Sequence, residues 1–201
     1  MTFFVLDYTR KLTRWRMKVY IMKKLSTFDI TSTAIFAALL CVLAPLSLPI
    51  GPIPISLATL IIYLAAVILA PKLSTMSVVV YILLGLVGLP VFSGYAGGVG
   101  KLVGPTGGYI IGYIPMAFIA GYITFKFIDK KYMAVVGMVA GTAVLYLIGT
   151  IWFVIQMKCE VGYALSVCVV PFLLGDAIKI VVATVLGIAV RERLVKAGIV
   201  K

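Results

Sequence analysis

Residues 132–155 read YMAVVGMVAGTAVLYLIGTIWFVI, a stretch of 24 residues without a single charged side chain. An α-helix rises about 1.5 Å per residue, so a stretch of this length spans the roughly 30 Å hydrocarbon core of a bilayer. The stretch therefore predicts a transmembrane helix.

The rest of the chain repeats this pattern five times. The composition agrees, with 63% hydrophobic and 12% charged residues, because a soluble domain is about half apolar and a quarter charged. We predict an all-α integral membrane protein with six transmembrane helices. The second and third runs are short for a full span. Thr27 or Asp29 is expected to cap the first helix. The other five runs cover residues 28–48, 55–70, 75–90, 109–127 and 164–190.

Orientation in the membrane follows from the Lys and Arg residues. With the N-terminus inside, fifteen of the eighteen fall on the cytoplasmic side, while Lys101 and Lys158 fall outside and Lys179 lies in a span. Basic loops stay cytoplasmic, so both termini are predicted to be cytoplasmic in a multi-pass protein of a prokaryotic cell membrane. Because the bases lie in short stretches between apolar runs, the net charge of +12 does not predict a nucleic-acid partner.

We divide the chain into two parts. Residues 1–24 form a basic extension that suits an amphipathic helix on the membrane surface, and residues 25–201 form the six-helix membrane domain.

The predicted outer loop, residues 91–108, holds seven glycines in eighteen residues. It is too rich in glycine for a helix, yet its Phe92, Tyr95 and Leu102 are unusual in a flexible linker. Glycine lets a backbone approach closely and offer its amides to a ligand. The loop is expected to fold over a cavity, and a flexible connector is the alternative.

Asp176 and Lys179 lie within the sixth run, three residues apart and hence on one helical face. Each charge in the bilayer centre costs about 2.5–3.5 kcal/mol on insertion scales. A polar ligand site facing the bundle interior is one interpretation, in which Asp accepts from N–H donors and Lys donates to a carbonyl or carboxylate. A structural ion pair that fixes helix packing is the other.

Several function classes are excluded or disfavoured. The chain has no histidine, which removes imidazole metal sites and His-based triads. Gly100-Lys101 does not complete a phosphate loop, because Tyr95 replaces its first glycine and Leu102 replaces its Ser or Thr. Its three cysteines form no CxxC pair. We predict neither an enzyme nor a bound cofactor.

Three sequence blocks together resemble the BioY family, the biotin-specific substrate-capture subunits (S components) of energy-coupling factor (ECF) transporters. The resemblance spans about residues 26–195 and all six predicted helices. The blocks are Gly88-Leu-Pro-Val-Phe-Ser-Gly94, Gly104-Pro-Thr-Gly-Gly-Tyr109 with Gly112, and Gly175-Asp-x-x-Lys179.

The resemblance implies a high-affinity biotin site near the outer face, covered by the glycine-rich loop, with Asp176 and Lys179 as polar contacts. It also implies assembly with a coupling membrane subunit and two ABC-type ATPases that use the ATP, through the Ala34 and Ala38 face of the first helix. An S component for another vitamin, a proton-coupled carrier using Asp176 and an intramembrane enzyme are the alternatives. The other implied ligand-binding residues are Phe92, Tyr95, Thr106, Gly107, Gly108 and Tyr109.

Overall fold

The computed structural model describes residues 26–49 and 52–199, so the predicted surface helix within residues 1–24 lies outside the described chain. The described part is almost entirely helical, with a single pair of two-residue strands. In chain order the elements are α1 Thr27–Leu43, β1 Ser47–Leu48, β2 Ile55–Ser56, α2 Ala58–Ile68, α3 Pro71–Leu86, α4 Val99–Val103, α5 Gly107–Lys126, α6 Tyr132–Met157, α7 Val161–Cys168 and α8 Val170–Lys196.

Every predicted run contains a helix. Among the described residues, three helical segments are long and apolar enough to cross a membrane, namely α5, α6 and the nearly continuous α7–α8, while α1, α2 and α3 are shorter apolar helices. The first helix is capped one residue earlier than expected. The Ser26 side chain accepts from the Asp29 amide at 3.2 Å, and the Asp29 carboxylate accepts from the Ser26 amide at 2.9 Å. This reciprocal capping box satisfies two N–H groups that a helix start leaves without partners.

Helix α2 lies at the centre of the bundle. Nine of its eleven residues are buried, and it packs against α8, α5 and α1. Because α2 is surrounded by protein, a short helix can sit here without exposing its ends to lipid. At its C-terminal end the Arg191 guanidinium of α8 donates to the Val67 carbonyl at 2.8 Å and stacks 4.2 Å from the centroid of the Phe125 ring.

The pairing of α5 with α6 depends on glycine. A Cβ atom added to Gly141 would lie 2.8 Å from the Met116 carbonyl oxygen, and one added to Gly137 would lie 2.7 Å from that of Ala120. Any larger residue would force the two backbones apart. The close approach places the first half of α6 against the middle and second half of α5.

The glycine-rich segment contains more regular secondary structure than its sequence predicts. It contains the five-residue helix α4, although its glycine content argued against a helix. Gly94 and Gly98 adopt φ values of +72° and +84°, and Tyr95 adopts +57°. Positive φ is readily available to glycine, so these glycines form the turns that lead into α4.

Candidate ligand-binding site

A cavity lies between α2, α5, α6 and α8, with the β1–β2 connection and the glycine-rich segment contributing to its wall. Its apolar wall includes Ile53, Ile110, Leu145 and Phe172. The polar groups converge from β2, α2, α5, α6, α8 and the glycine-rich segment. They are Ser56, Thr59, Ser93, Thr106, Tyr109, Tyr113, Tyr146, Asp176 and Lys179.

The centre of the polar wall is the Asp176–Lys179 pair of α8. The Lys179 ammonium lies 3.1 Å from Asp176 Oδ1, and the side chains are only 12% and 5% exposed. Thr59 of α2 joins both charges, since its hydroxyl donates to Asp176 Oδ1 at 3.1 Å and accepts from Lys179 Nζ at 2.9 Å. The pair is therefore tied to a neighbouring helix as well as to its own.

The second carboxylate oxygen is held separately. The Tyr146 hydroxyl of α6 donates to Asp176 Oδ2 at 2.7 Å. A carboxylate oxygen has about two acceptor positions. Oδ1 already accepts from Thr59 and Lys179, whereas Oδ2 accepts from Tyr146 alone in the described chain. Asp176 Oδ2 is thus the acceptor that the site can offer to an N–H donor of a ligand.

Lys179, unlike Asp176 Oδ2, has no hydrogen-bonding position left for a ligand. Its three N–H groups point to Asp176 Oδ1, the Thr59 hydroxyl and the Ser56 carbonyl at 2.9 Å. An ammonium has three donors and no acceptor, so this one is fully engaged within the protein. In this geometry it neutralises the buried carboxylate and holds the backbone of β2, and it can donate to a ligand only by exchanging one of these bonds.

Four of the residues predicted from the sequence come together at this cavity: Thr106, Tyr109, Asp176 and Lys179. Tyr109 is fixed from behind, because its hydroxyl donates to the Cys168 carbonyl at 3.0 Å. Its ring packs flat against Gly149, where a Cβ would lie only 2.4 Å away.

The other four predicted residues lie elsewhere. Phe92 is fully buried and packs edge-on to Tyr81 at 5.6 Å between ring centroids, while Tyr95 is 64% exposed. Gly107 and Gly108 give close packing against the α4 region and α6. None of the four lines the cavity, and the loop reaches it through Ser93 and Thr106 instead.

The sequence interpretation missed Thr59 and Tyr146, which complete the carboxylate's coordination. Each is a hydroxyl in an otherwise apolar run, which is the one signal that could have found them. That signal is weak, since buried hydroxyls in helices commonly bond to their own backbone, as Thr124 does to the Ala120 carbonyl at 2.7 Å.

The lining of the cavity is suited to binding a small molecule. Within residues 26–49 and 52–199, no three Cys, Asp or Glu side chains are grouped closely enough to hold a metal ion. The polar cluster instead combines one neutralised carboxylate, several hydroxyls and an apolar wall. That combination fits a small molecule with an apolar body and N–H donors.

These features define a class of protein: a membrane-embedded helical bundle that encloses a small-molecule site. The chain belongs to the BioY family, which matches residues 17–196.

Several curated relatives are similar over most of the chain. The biotin transporter BioY of Thermotoga maritima is 38% identical over 165 residues, which cover 82% of this chain and 96% of that protein. The probable biotin transporter BioY of Pyrococcus horikoshii is 35% identical, with 79% and 93% covered. These relatives are transporters, in agreement with the prediction that the chain is not an enzyme.

The fold has a solved counterpart. The crystal structure of an S-component for biotin from an ECF-type ABC transporter matches with a TM-score of 0.77 at 30% identity, covering 82% of this chain and 90% of that chain. The family resemblance seen in the three sequence blocks is thereby confirmed.

Replacing Asp176 alone and together with Lys179 tests whether the ion pair is needed for the fold. Asp176→Leu leaves a buried ammonium without its counter-charge, and we expect the ligand-free protein in detergent to lose about 3–5 kcal/mol of stability. Asp176→Leu/Lys179→Met replaces the pair by apolar groups and should unfold close to the wild-type temperature. A double variant that melts as low as the single one would show that the pair is needed for the fold itself.

Proposed function

We propose that this chain is the biotin-capturing S component of an ECF-type ABC importer and mediates biotin uptake with high affinity. The observation that carries the proposal is the free acceptor position on Asp176 Oδ2, held by Tyr146 in a cavity with an apolar wall. Membership of the BioY family and the names of the relatives support the choice of ligand.

The chemistry of biotin sets its orientation. Its only N–H donors are the two of the ureido ring, and its carboxylate tail is negatively charged near pH 7. Asp176 accepts hydrogen bonds and repels a second carboxylate, so the ureido ring faces Asp176 and the tail points away from it. The apolar thiophane ring then lies against Tyr109, Phe172 and Ile110 of the wall.

The hydroxyls of the loop complete the proposed site. Ser93 and Thr106 line the cavity, and a hydroxyl can donate or accept as the ligand requires. They lie on the segment that we propose covers bound biotin from the outer side.

Titration of the purified chain with biotin in detergent tests the ligand directly. We expect saturable binding of one biotin per chain. The Asp176→Leu/Lys179→Met variant, which is expected to keep the stability of the wild type, should weaken binding about ten- to hundredfold, because a hydrogen bond to a charged group is worth about 1.5–3 kcal/mol. A biotin derivative methylated on both ureido nitrogens should bind poorly to the wild type. Asp129→Ala, which removes an exposed carboxylate, is the matched control and should bind normally. No saturable binding at micromolar biotin would refute the proposal.

We further propose six transmembrane segments, with both termini in the cytoplasm of a prokaryotic cell. The shorter helices α1, α2 and α3 then count as spans together with α5, α6 and α7–α8. The distribution of Lys and Arg supports this orientation, since fifteen of eighteen fall on one side.

Cysteine labelling tests this topology. In a background without the three native cysteines, Lys158→Cys should react with a membrane-impermeant maleimide added to intact cells. Lys130→Cys should react only after the cells are lysed. The reverse pattern would invert the orientation.

Docking on the coupling subunit is proposed to use the outward face of α1. Ala34 and Ala38 are both exposed there, one helical turn apart, with Ser32, Thr33 and Phe36 buried on the other side. Two small residues at this spacing let another helix approach closely. The two ABC-type ATPases would supply the energy of ATP hydrolysis from the cytoplasmic side.

Bulky substitutions on this face separate docking from ligand capture. Ala34→Leu/Ala38→Leu should leave biotin binding unchanged, because neither residue touches the cavity, and should block co-purification with the coupling subunit and ATPases. Val139→Leu, on the exposed face of α6, is the control and should assemble normally. Assembly of the double variant would show that docking uses another surface.

A further inference from the structure

The outer end of α6 carries two side chains that hold the glycine-rich segment. Trp152 Nε1 donates to the Gly104 carbonyl at 3.0 Å, and Gln156 Nε2 donates to the Val103 carbonyl at 2.6 Å. The two donors are four residues apart and therefore share one face of α6. Neither residue lines the cavity.

The two acceptors lie where α4 ends. A helix leaves its last carbonyls without partners inside the helix, and α4 has only five residues. The Gly104 carbonyl also accepts from the Gly107 amide at 3.0 Å, while the Val103 carbonyl accepts from Gln156. Donors from α6 thus stabilise the end of a helix that is too short to be stable alone.

Close packing reinforces these hydrogen bonds. A Cβ atom added to Gly108 would lie 2.2 Å from the Trp152 Cβ atom, and one added to Gly107 would lie 1.6 Å from the Leu102 carbonyl oxygen. The start of α5 therefore packs directly against α6, and the segment from α4 to α5 is closely packed on itself. Thr106 lies within this segment and is held at the wall of the cavity.

From this geometry we infer that Trp152 and Gln156 are positioning residues that hold the loop over the ligand site and set how long a ligand stays bound. They act through the loop and do not contact the ligand. The ligand part of this inference rests on the proposed biotin function, whereas the anchoring of α4 by α6 does not.

The test measures biotin kinetics and local hydrogen exchange on the full chain in detergent or nanodiscs. Trp152→Phe and Gln156→Glu each remove one donor while keeping most of the side-chain volume. Each should speed biotin dissociation about two- to tenfold, the range expected for one hydrogen bond, and change the association rate less than twofold. Deuterium uptake in residues 99–104 should rise in the ligand-free protein, with the unfolding temperature nearly unchanged.

Two further variants complete the design. Gln156→Lys keeps an N–H donor at this position and should retain slow dissociation, unlike Gln156→Glu. Ile155→Ala removes a neighbouring side chain that is 68% exposed and should change neither measurement.

The outcomes separate this inference from the proposed function. Unchanged uptake at 99–104 in both donor-removing variants would overturn the anchoring, whether or not biotin binds. Raised uptake with an unchanged dissociation rate would overturn the control of ligand retention. If the wild-type chain binds no biotin, the proposed function fails, and exchange in the ligand-free protein still decides whether α6 anchors the loop.

Discussion

The Asp176 carboxylate is buried in an apolar bundle, and much of the surrounding structure serves to keep it there. A lone charge at this depth is costly, so Lys179 neutralises it and Thr59 and Tyr146 satisfy its oxygens. These partners come from α8, α2 and α6, which means that three helices must meet at one point for the charge to be tolerated. Lys179 extends the network to the Ser56 carbonyl and so joins it to β2.

The burial of Asp176 also determines which hydrogen-bonding groups the site presents to a ligand. Because the Lys179 ammonium donates its three N–H groups to acceptors within the protein, the network presents an acceptor to the cavity rather than a free positive charge. A buried polar network of this kind is costly when a member is missing, which favours a fixed arrangement over an adaptable one. The apolar wall provides contact area, and a hydrogen bond to the neutralised carboxylate orients the ligand. A ligand with N–H donors on a compact apolar body meets both requirements, and biotin is such a molecule.

The glycine-rich segment is constrained by close packing rather than by a buried charge. It contributes to the cavity wall and also leaves room for the close approach of α5 to α6, and its glycines serve that packing. Gly107 and Gly108 illustrate this, because neighbouring backbone or side-chain atoms already occupy the space that a Cβ atom would need at each position. Phe92 likewise anchors the segment in the core beside Tyr81. Only Ser93 and Thr106 carry polar side chains of this segment to the cavity wall.

The sequence by itself determined the membrane class, the position of each apolar helix to within about six residues and the placement of two opposite charges, Asp176 and Lys179, on one face of the last helix. These follow from local properties: the length of an apolar run, and the cost of a charge inside it. The tertiary structure alone decided which partners complete the site. Thr59 and Tyr146 are separated from Asp176 by 117 and 30 residues, and no local pattern distinguishes them from other buried hydroxyls. It also decided that Phe92 packs in the core while Tyr95 is exposed. The two residues are separated by the turn that pairs Phe92 with Ala96, in which Gly94 and Tyr95 adopt positive φ, and sequence spacing does not encode that turn.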